Sequence, residues 1–119
     1  MKSKFNVRTV NQTGYSGVIT SPNFPNAYDN FDLQEYYISV PSNQKVKLTI
    51  YSFETESECD ILYIYFGNMI CDTSYYQELS GNVTAGTTFI IPSNAASLRF
   101  YSDQSYAYSG FQILWDAVD

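Results

Sequence analysis

The sequence predicts an all-β domain, an antiparallel β-sandwich of jelly-roll-like plan, on three observations. Short runs rich in Val, Ile, Tyr, Phe and Thr recur along the chain, separated by Pro, Gly, Asn and Ser. The clearest run alternates Val46, Leu48 and Ile50 with Lys45, Lys47 and Thr49, the two-residue period of a strand with one wet face. No stretch sustains a helical period. A chain of 119 residues suits one domain with one modest core.

In order, residues 1–13 read as a basic leader or edge segment, and 14–119 as a single domain. Gly17-Val18-Ile19-Thr20 is a first strand, followed by SPNFPNAYDN, whose Pro and Asn residues mark a loop. Tyr36, Ile38 and Val40 alternate with Tyr37 and Ser39, and Pro41-Ser42-Asn43 turns the chain into the Lys45–Ile50 strand. Ile61 to Phe66 is a further strand closed by Gly67-Asn68. The polar stretch from Asp72 to Gly86 reads as loop with room for one short strand. Thr87 to Ile91 and Leu98 to Tyr101 flank Pro92-Ser93-Asn94, and Phe111 to Trp115 is the last strand. No internal repeat or linker divides the chain.

Composition removes several functions. The net charge is −6, with only six Lys and Arg, so the clustered cations that bind a phosphate backbone are missing. The chain has no His, which excludes His-ligated zinc and a Ser-His-Asp triad. No phosphate loop or nicotinamide fingerprint occurs, and no apolar run approaches membrane-spanning length. The start, MKSKFNVRTV, lacks the apolar centre of a signal peptide, as a mature secreted chain also would. Cys59 and Cys71 bound the run DILYIYFGNMI, which can double back to join them; two free thiols are the alternative. Such a bridge contributes roughly 2–3 kcal/mol. The sequons Asn11-Gln12-Thr13 and Asn82-Val83-Thr84 point toward secretion.

Two stretches carry candidate chemistry. In YSFETESECDILYIYFG, the carboxylates Glu54, Glu56, Glu58 and Asp60 crowd between two strands. Either water solvates them or a cation holds them together. In YSDQSYAYSG, Tyr101, Tyr106 and Tyr108 surround Asp103, with Ser102, Ser105 and Ser109 between them. Tyr and Ser suit adaptable protein-binding surfaces. Alternation assigns Phe100 and Phe111 to the core and leaves Tyr106 and Tyr108 for solvent.

Taken in order, the motifs resemble the CUB domain family of small extracellular β-sandwich modules. SGVITSPNFPNAYDN is similar to its opening G-x-I-x-S-P-N-Y-P-x-x-Y, and YYISVPSNQKVKLTIYSF to its strand, turn and x-L-x-F-x-x-F strand. CDILYIYFG follows the Y-D-Y-V-x-I-x-D-G run, and LRFYSDQSYAYSGFQILW the closing I-x-F-x-S-D motif with G-F. The likeness runs from about Gly14 to Trp115. It departs at Leu33-Gln34-Glu35-Tyr36, where a Cys-x-Trp and hence a first disulfide would stand. The acidic loop is shortened, and Phe24 replaces a Tyr.

The resemblance implies a non-catalytic recognition module outside the cell, with Cys59–Cys71 as the family's second disulfide. It implies a calcium ion held by Glu56, Asp60 and Asp103, with Glu54 as the fallback for Glu56 and Ser105 offering a main-chain oxygen. Glu58 is then a solvated bystander. A partner protein would place a Lys or Arg against Glu56 and Asp103, with Phe24, Tyr106 and Tyr108 as contact surface. Two other readings stay open: a lectin-like module, since Tyr rings and acids also suit sugars, and a self-associating adhesive domain. A two-carboxylate glycosidase is a remote third.

Overall fold

The computed structural model describes residues 6–70, 75–103 and 106–119. These form nine strands: β1 (Asn6–Thr13), β2 (Ser16–Thr20), β3 (Asp32–Ser39), β4 (Lys45–Glu54), β5 (Ile61–Phe66), β6 (Gln77–Leu79), β7 (Thr88–Ile91), β8 (Ala95–Tyr101) and β9 (Gly110–Val118). A five-stranded sheet has the order β1-β3-β8-β5-β6, and a four-stranded sheet the order β2-β9-β4-β7. The basic segment supplies β1, an edge strand that pairs parallel with β3 from Asn6↔Asp32 to Thr13↔Ser39. Between them the chain visits the other sheet as β2, and two reversals return it in its original direction. The sandwich is therefore antiparallel except at this pair.

The inward faces meet in a core of Tyr36, Ile38, Leu48, Ile50, Leu62, Ile64, Leu98, Phe100, Phe111, Ile113 and Trp115, each at most 1% exposed. β4 keeps its predicted alternation through Ile50 and then breaks it. Its register with β9 shifts between Ile50 and Ser52, leaving Tyr51 as the extra, exposed residue of a bulge. The shift turns Phe53 inward, where its ring stacks on Phe111 at 5.6 Å. β3 starts four residues before its predicted start, because Asp32 and Gln34 occupy the inward positions there although both are polar.

The register gathers distant loops at one end of the sandwich. Ile61, the first residue of β5, lies opposite Tyr101, the last of β8, and Tyr101 also lies opposite Leu33 near the start of β3. Glu54 ends β4 opposite Gly110, which begins β9. The loops 21–31, 55–60 and 102–109 thus share that end.

Packing leaves no room at Gly17 in β2. A Cβ there would stand 2.6 Å from the Trp115 ring. Trp115 is fixed in turn by its Nε1–H, which donates to Gln12 Oε1 at 2.6 Å. Gly17→Ala is expected to displace the indole and cost about 1–3 kcal/mol. Because the chain has one Trp, a red-shifted emission with a lowered Tm checks this.

Candidate metal and recognition site

Asp60, just before β5, has no exposed surface. Burying a carboxylate is costly unless its oxygens are satisfied, and here both are. Oδ1 accepts the Asp103 backbone N–H at 2.9 Å, and Oδ2 accepts the Tyr28 hydroxyl in a short hydrogen bond. The Tyr28 oxygen also accepts the Glu56 N–H at 3.3 Å. One tyrosine from the 21–31 loop therefore joins Glu56 and Asp60 of the 55–60 loop. Its own backbone N–H donates to Tyr108 O at 3.1 Å, tying in the third loop.

The 55–60 loop is a tight turn. The N–H groups of Cys59 and Asp60 both donate to Glu56 O, at 3.2 and 3.0 Å. Glu58 has φ of 64°, a left-handed conformation that an ordinary side chain rarely takes, and its N–H donates to Ser80 Oγ at 3.0 Å. Thr55 clamps the turn from below, donating its hydroxyl to Asp60 O at 2.8 Å and accepting the Gly81 N–H at 3.0 Å. On the other side, buried Ser102 accepts the Asp32 N–H at 2.8 Å and donates to Asp29 O at 2.7 Å. The Phe31 N–H donates to Asp103 O at 3.0 Å. Asp103 is thereby held through its backbone.

The turn and the 102–109 loop bring Glu56, Cys59 and Asp103 together, with one ligand atom of each within 4.8 Å of the others. Asp60 lies directly behind, bonded to the backbone of Asp103, and is not in that trio. Glu54 is held apart: it remains in β4, exposed, and accepts the Ser109 hydroxyl at 3.4 Å. Cys59 carries a free thiol, and its expected partner Cys71 lies outside the described residues, as does Ser105. Phe24 is half-buried in the 21–26 turn, before a cis Phe24–Pro25 bond. Tyr106 is 73% exposed and Tyr108 39%, so both side chains are open to solvent.

Electrostatics follows from this crowding. Burial pushes the Asp60 carboxyl up; the Tyr28 and Asp103 hydrogen bonds pull it back, and the Asp103 and Glu56 charges raise it further. Burial, the Asp60 hydrogen bond and its charge push the Tyr28 hydroxyl well above the usual tyrosine range, so it stays a donor. Desolvation and the charges of Glu56, Asp103 and Asp60 push the Cys59 thiol up, so it stays protonated.

The residue missed from sequence is Tyr28. It closes the motif SPNFPNAY, but its partner is Asp60, 32 positions on, and no local pattern reports that contact. The only available signal was its place as the second aromatic of that motif, where attention falls on Phe24 instead.

A nine-stranded sandwich with an acidic, tyrosine-rimmed end defines a class of recognition domain, and comparison identifies it. The chain belongs to the CUB domain family, which it matches over residues 9–115, and CUB domains are protein-interaction modules. Among curated relatives, cubilin of Rattus norvegicus is 30% identical over 107 residues, 87% of this chain and 3% of cubilin. The full extracellular region of zebrafish Gpr126/Adgrg6 superposes with a TM-score of 0.79 at 27% identity, over 98% of this chain and 15% of that one. The MASP-1 CUB2 domain bound to Ca2+ superposes at 0.77 with 23% identity, over 90% of this chain and 96% of that one. The chain thus spans a small fraction of cubilin. Among the described residues, no helix is long and apolar enough to cross a membrane.

Proposed function

We propose that this domain is a non-catalytic, extracellular recognition module in which calcium orders the acidic end for binding a partner protein. The observation that carries the reading is the convergence of Glu56 and Asp103 in front of a fully buried carboxylate, Asp60. Three like charges so close repel each other, and a divalent cation among them turns that repulsion into attraction. The donor set fits: calcium takes six to eight oxygens, and carboxylates with main-chain carbonyls and water supply them. Each Asp60 oxygen accepts one hydrogen bond and keeps a second lone pair. Cys59 is the exception, since a protonated thiol is a poor ligand for so hard an ion. The MASP-1 CUB2 domain, which was solved with Ca2+, lends the fold alone to this reading.

Glu56 and Asp103 would hold the ion, with Asp60 behind them, and the ion would supply charge that locks two loops together. The protein's own residues do the rest. Tyr28 and the Asp103 N–H orient Asp60; Thr55 and Ser102 fix the loops from either side. Glu56 and Asp103 are partly exposed, and a Lys or Arg of the partner would meet them there. Carboxylates already fixed lose little entropy on binding, and the exposed rings of Tyr106 and Tyr108 add contact area beside them.

Glu56→Gln is expected to weaken calcium binding at least tenfold, because it removes one charged donor from the cluster. Glu54→Gln is expected to leave binding within twofold, because that side chain is turned to Ser109. Calorimetric titration of both variants checks the pair. Equal weakening by the two substitutions contradicts the assignment of Glu56.

A further inference from the structure

We propose that Asn11 is an N-glycosylation site whose first sugar packs on the ring of Tyr37. In β1 the alternate positions Val10 and Gln12 face inward: Val10 packs on the core, and Gln12 donates to Val18 O at 3.0 Å and accepts the Trp115 N–H. Asn11 and Thr13 of the sequon are therefore on the outer face, and both are exposed, so the folded sandwich has room for a glycan on Asn11.

The strand register then decides what the sugar meets. Asn11 lies directly opposite Tyr37 on β3, and directly opposed residues of neighbouring strands share a face. Tyr37 is half-buried, with its hydroxyl donated to Glu35 Oε1 at 3.1 Å. That bond steadies the ring and leaves its face for the apolar C–H face of a pyranose. The second sequon is unlike it. Asn82 lies opposite Glu54 through an isolated bridge, where a carboxylate offers no ring.

The modification is a group transfer. A bond forms between Asn11 Nδ2 and the anomeric carbon of an oligosaccharide carried on a lipid pyrophosphate. The bond from that carbon to the pyrophosphate oxygen breaks, the lipid pyrophosphate leaves with the electron pair, and the nitrogen loses one proton to a base of the transferase. The resulting glycan stands on the free edge strand of the five-stranded sheet, where it also blocks pairing by another chain. The proposal rests on the extracellular reading and is independent of the calcium titrations.

The test is expression behind a secretory signal in animal cells, with Asn82→Gln leaving a single sequon. That chain is expected to carry one glycan, removed by peptide N-glycosidase and missing when Asn11→Gln is added. Sugar transfer precedes folding, so secreted and retained chains both report. Enzymatic removal is expected to lower Tm by about 4 °C with Tyr37 present and by less than half as much in Tyr37→Ala. Upfield-shifted protons of the proximal sugar, read by NMR on the protein with Tyr37 intact, give a second measure. No glycan at Asn11 overturns the site; an unshifted sugar, or equal Tm losses with and without the ring, overturns its seat on Tyr37.

Discussion

Asp60→Ala is expected to destabilise the calcium-free domain by about 2–4 kcal/mol and to abolish its response to calcium. The stability loss comes from two buried donors, the Tyr28 hydroxyl and the Asp103 N–H, each left without its acceptor. Asp60→Asn separates the two effects. The amide keeps an oxygen for the Asp103 N–H but leaves the Tyr28 O–H without its acceptor, so the calcium-free fold loses less than in Asp60→Ala. It also relieves a buried carboxylate flanked by Glu56 and Asp103 charges. Calcium response is lost in both. Thermal melts with calcium and with chelator give all four values, and a calcium-dependent Tm rise that survives in Asp60→Asn contradicts the role given to this residue.

The same group sets a pH dependence with an unusual sign. Asp60 has its folded-state pKa raised, chiefly by burial, so the folded chain holds that proton more tightly than the unfolded chain. In calcium-free protein its contribution is fully present below the ordinary carboxylate pKa and is lost as pH rises through the folded value. Calcium binding runs the other way, since the proton must leave before the ion enters. The calcium-induced Tm rise is therefore expected to shrink as pH falls through the Asp60 pKa, and Asp60→Asn is expected to remove this group's part of the profile.

Gly110→Ala is expected to be the most damaging single-methyl change, costing about 3 kcal/mol or more and lowering Tm by roughly 12 °C or more. Two costs add at this position. Its φ of 86° lies where an L side chain is strained, and a Cβ there would fall 1.9 Å from Ser21 Oγ. Ser21 has no space to yield: its hydroxyl accepts the Phe111 N–H at 3.0 Å and is itself buried. Gly110 also starts β9 opposite Glu54 and two residues after Tyr108, whose carbonyl holds Tyr28. The substitution should therefore weaken calcium binding as well as stability. Adding Ser21→Gly is expected to return the steric part and leave the conformational part. Full rescue by Ser21→Gly would mean that the backbone strain counts for nothing.

The sandwich was legible where side-chain alternation coincides with burial. Val46, Leu48 and Ile50 read as inward and are inward, as are Phe100 and Phe111. Legibility failed where polarity and position part company. β3 begins early because Asp32 and Gln34 are buried, and residues 1–13 read only as a leader or edge segment because the exposed residues of β1 are mixed and its partner is distant in sequence. Counting along the acidic loop from Phe53 left Glu54 and Glu56 as rivals, since a count cannot say where β4 ends. In the structure Glu54 is still in the strand, while Glu56 opens the turn whose carbonyl gathers Cys59 and Asp60. Tyr28 goes unread because its contact with Asp60 is tertiary, and no local spacing encodes it.

The reading stands on calcium binding at this end of the sandwich. Calorimetric titration of calcium into chelator-stripped protein, with Tm read on the same samples, tests it most directly. One ion per chain with a Tm that climbs with calcium concentration is the expected result. No heat of binding and an unmoved Tm would contradict it.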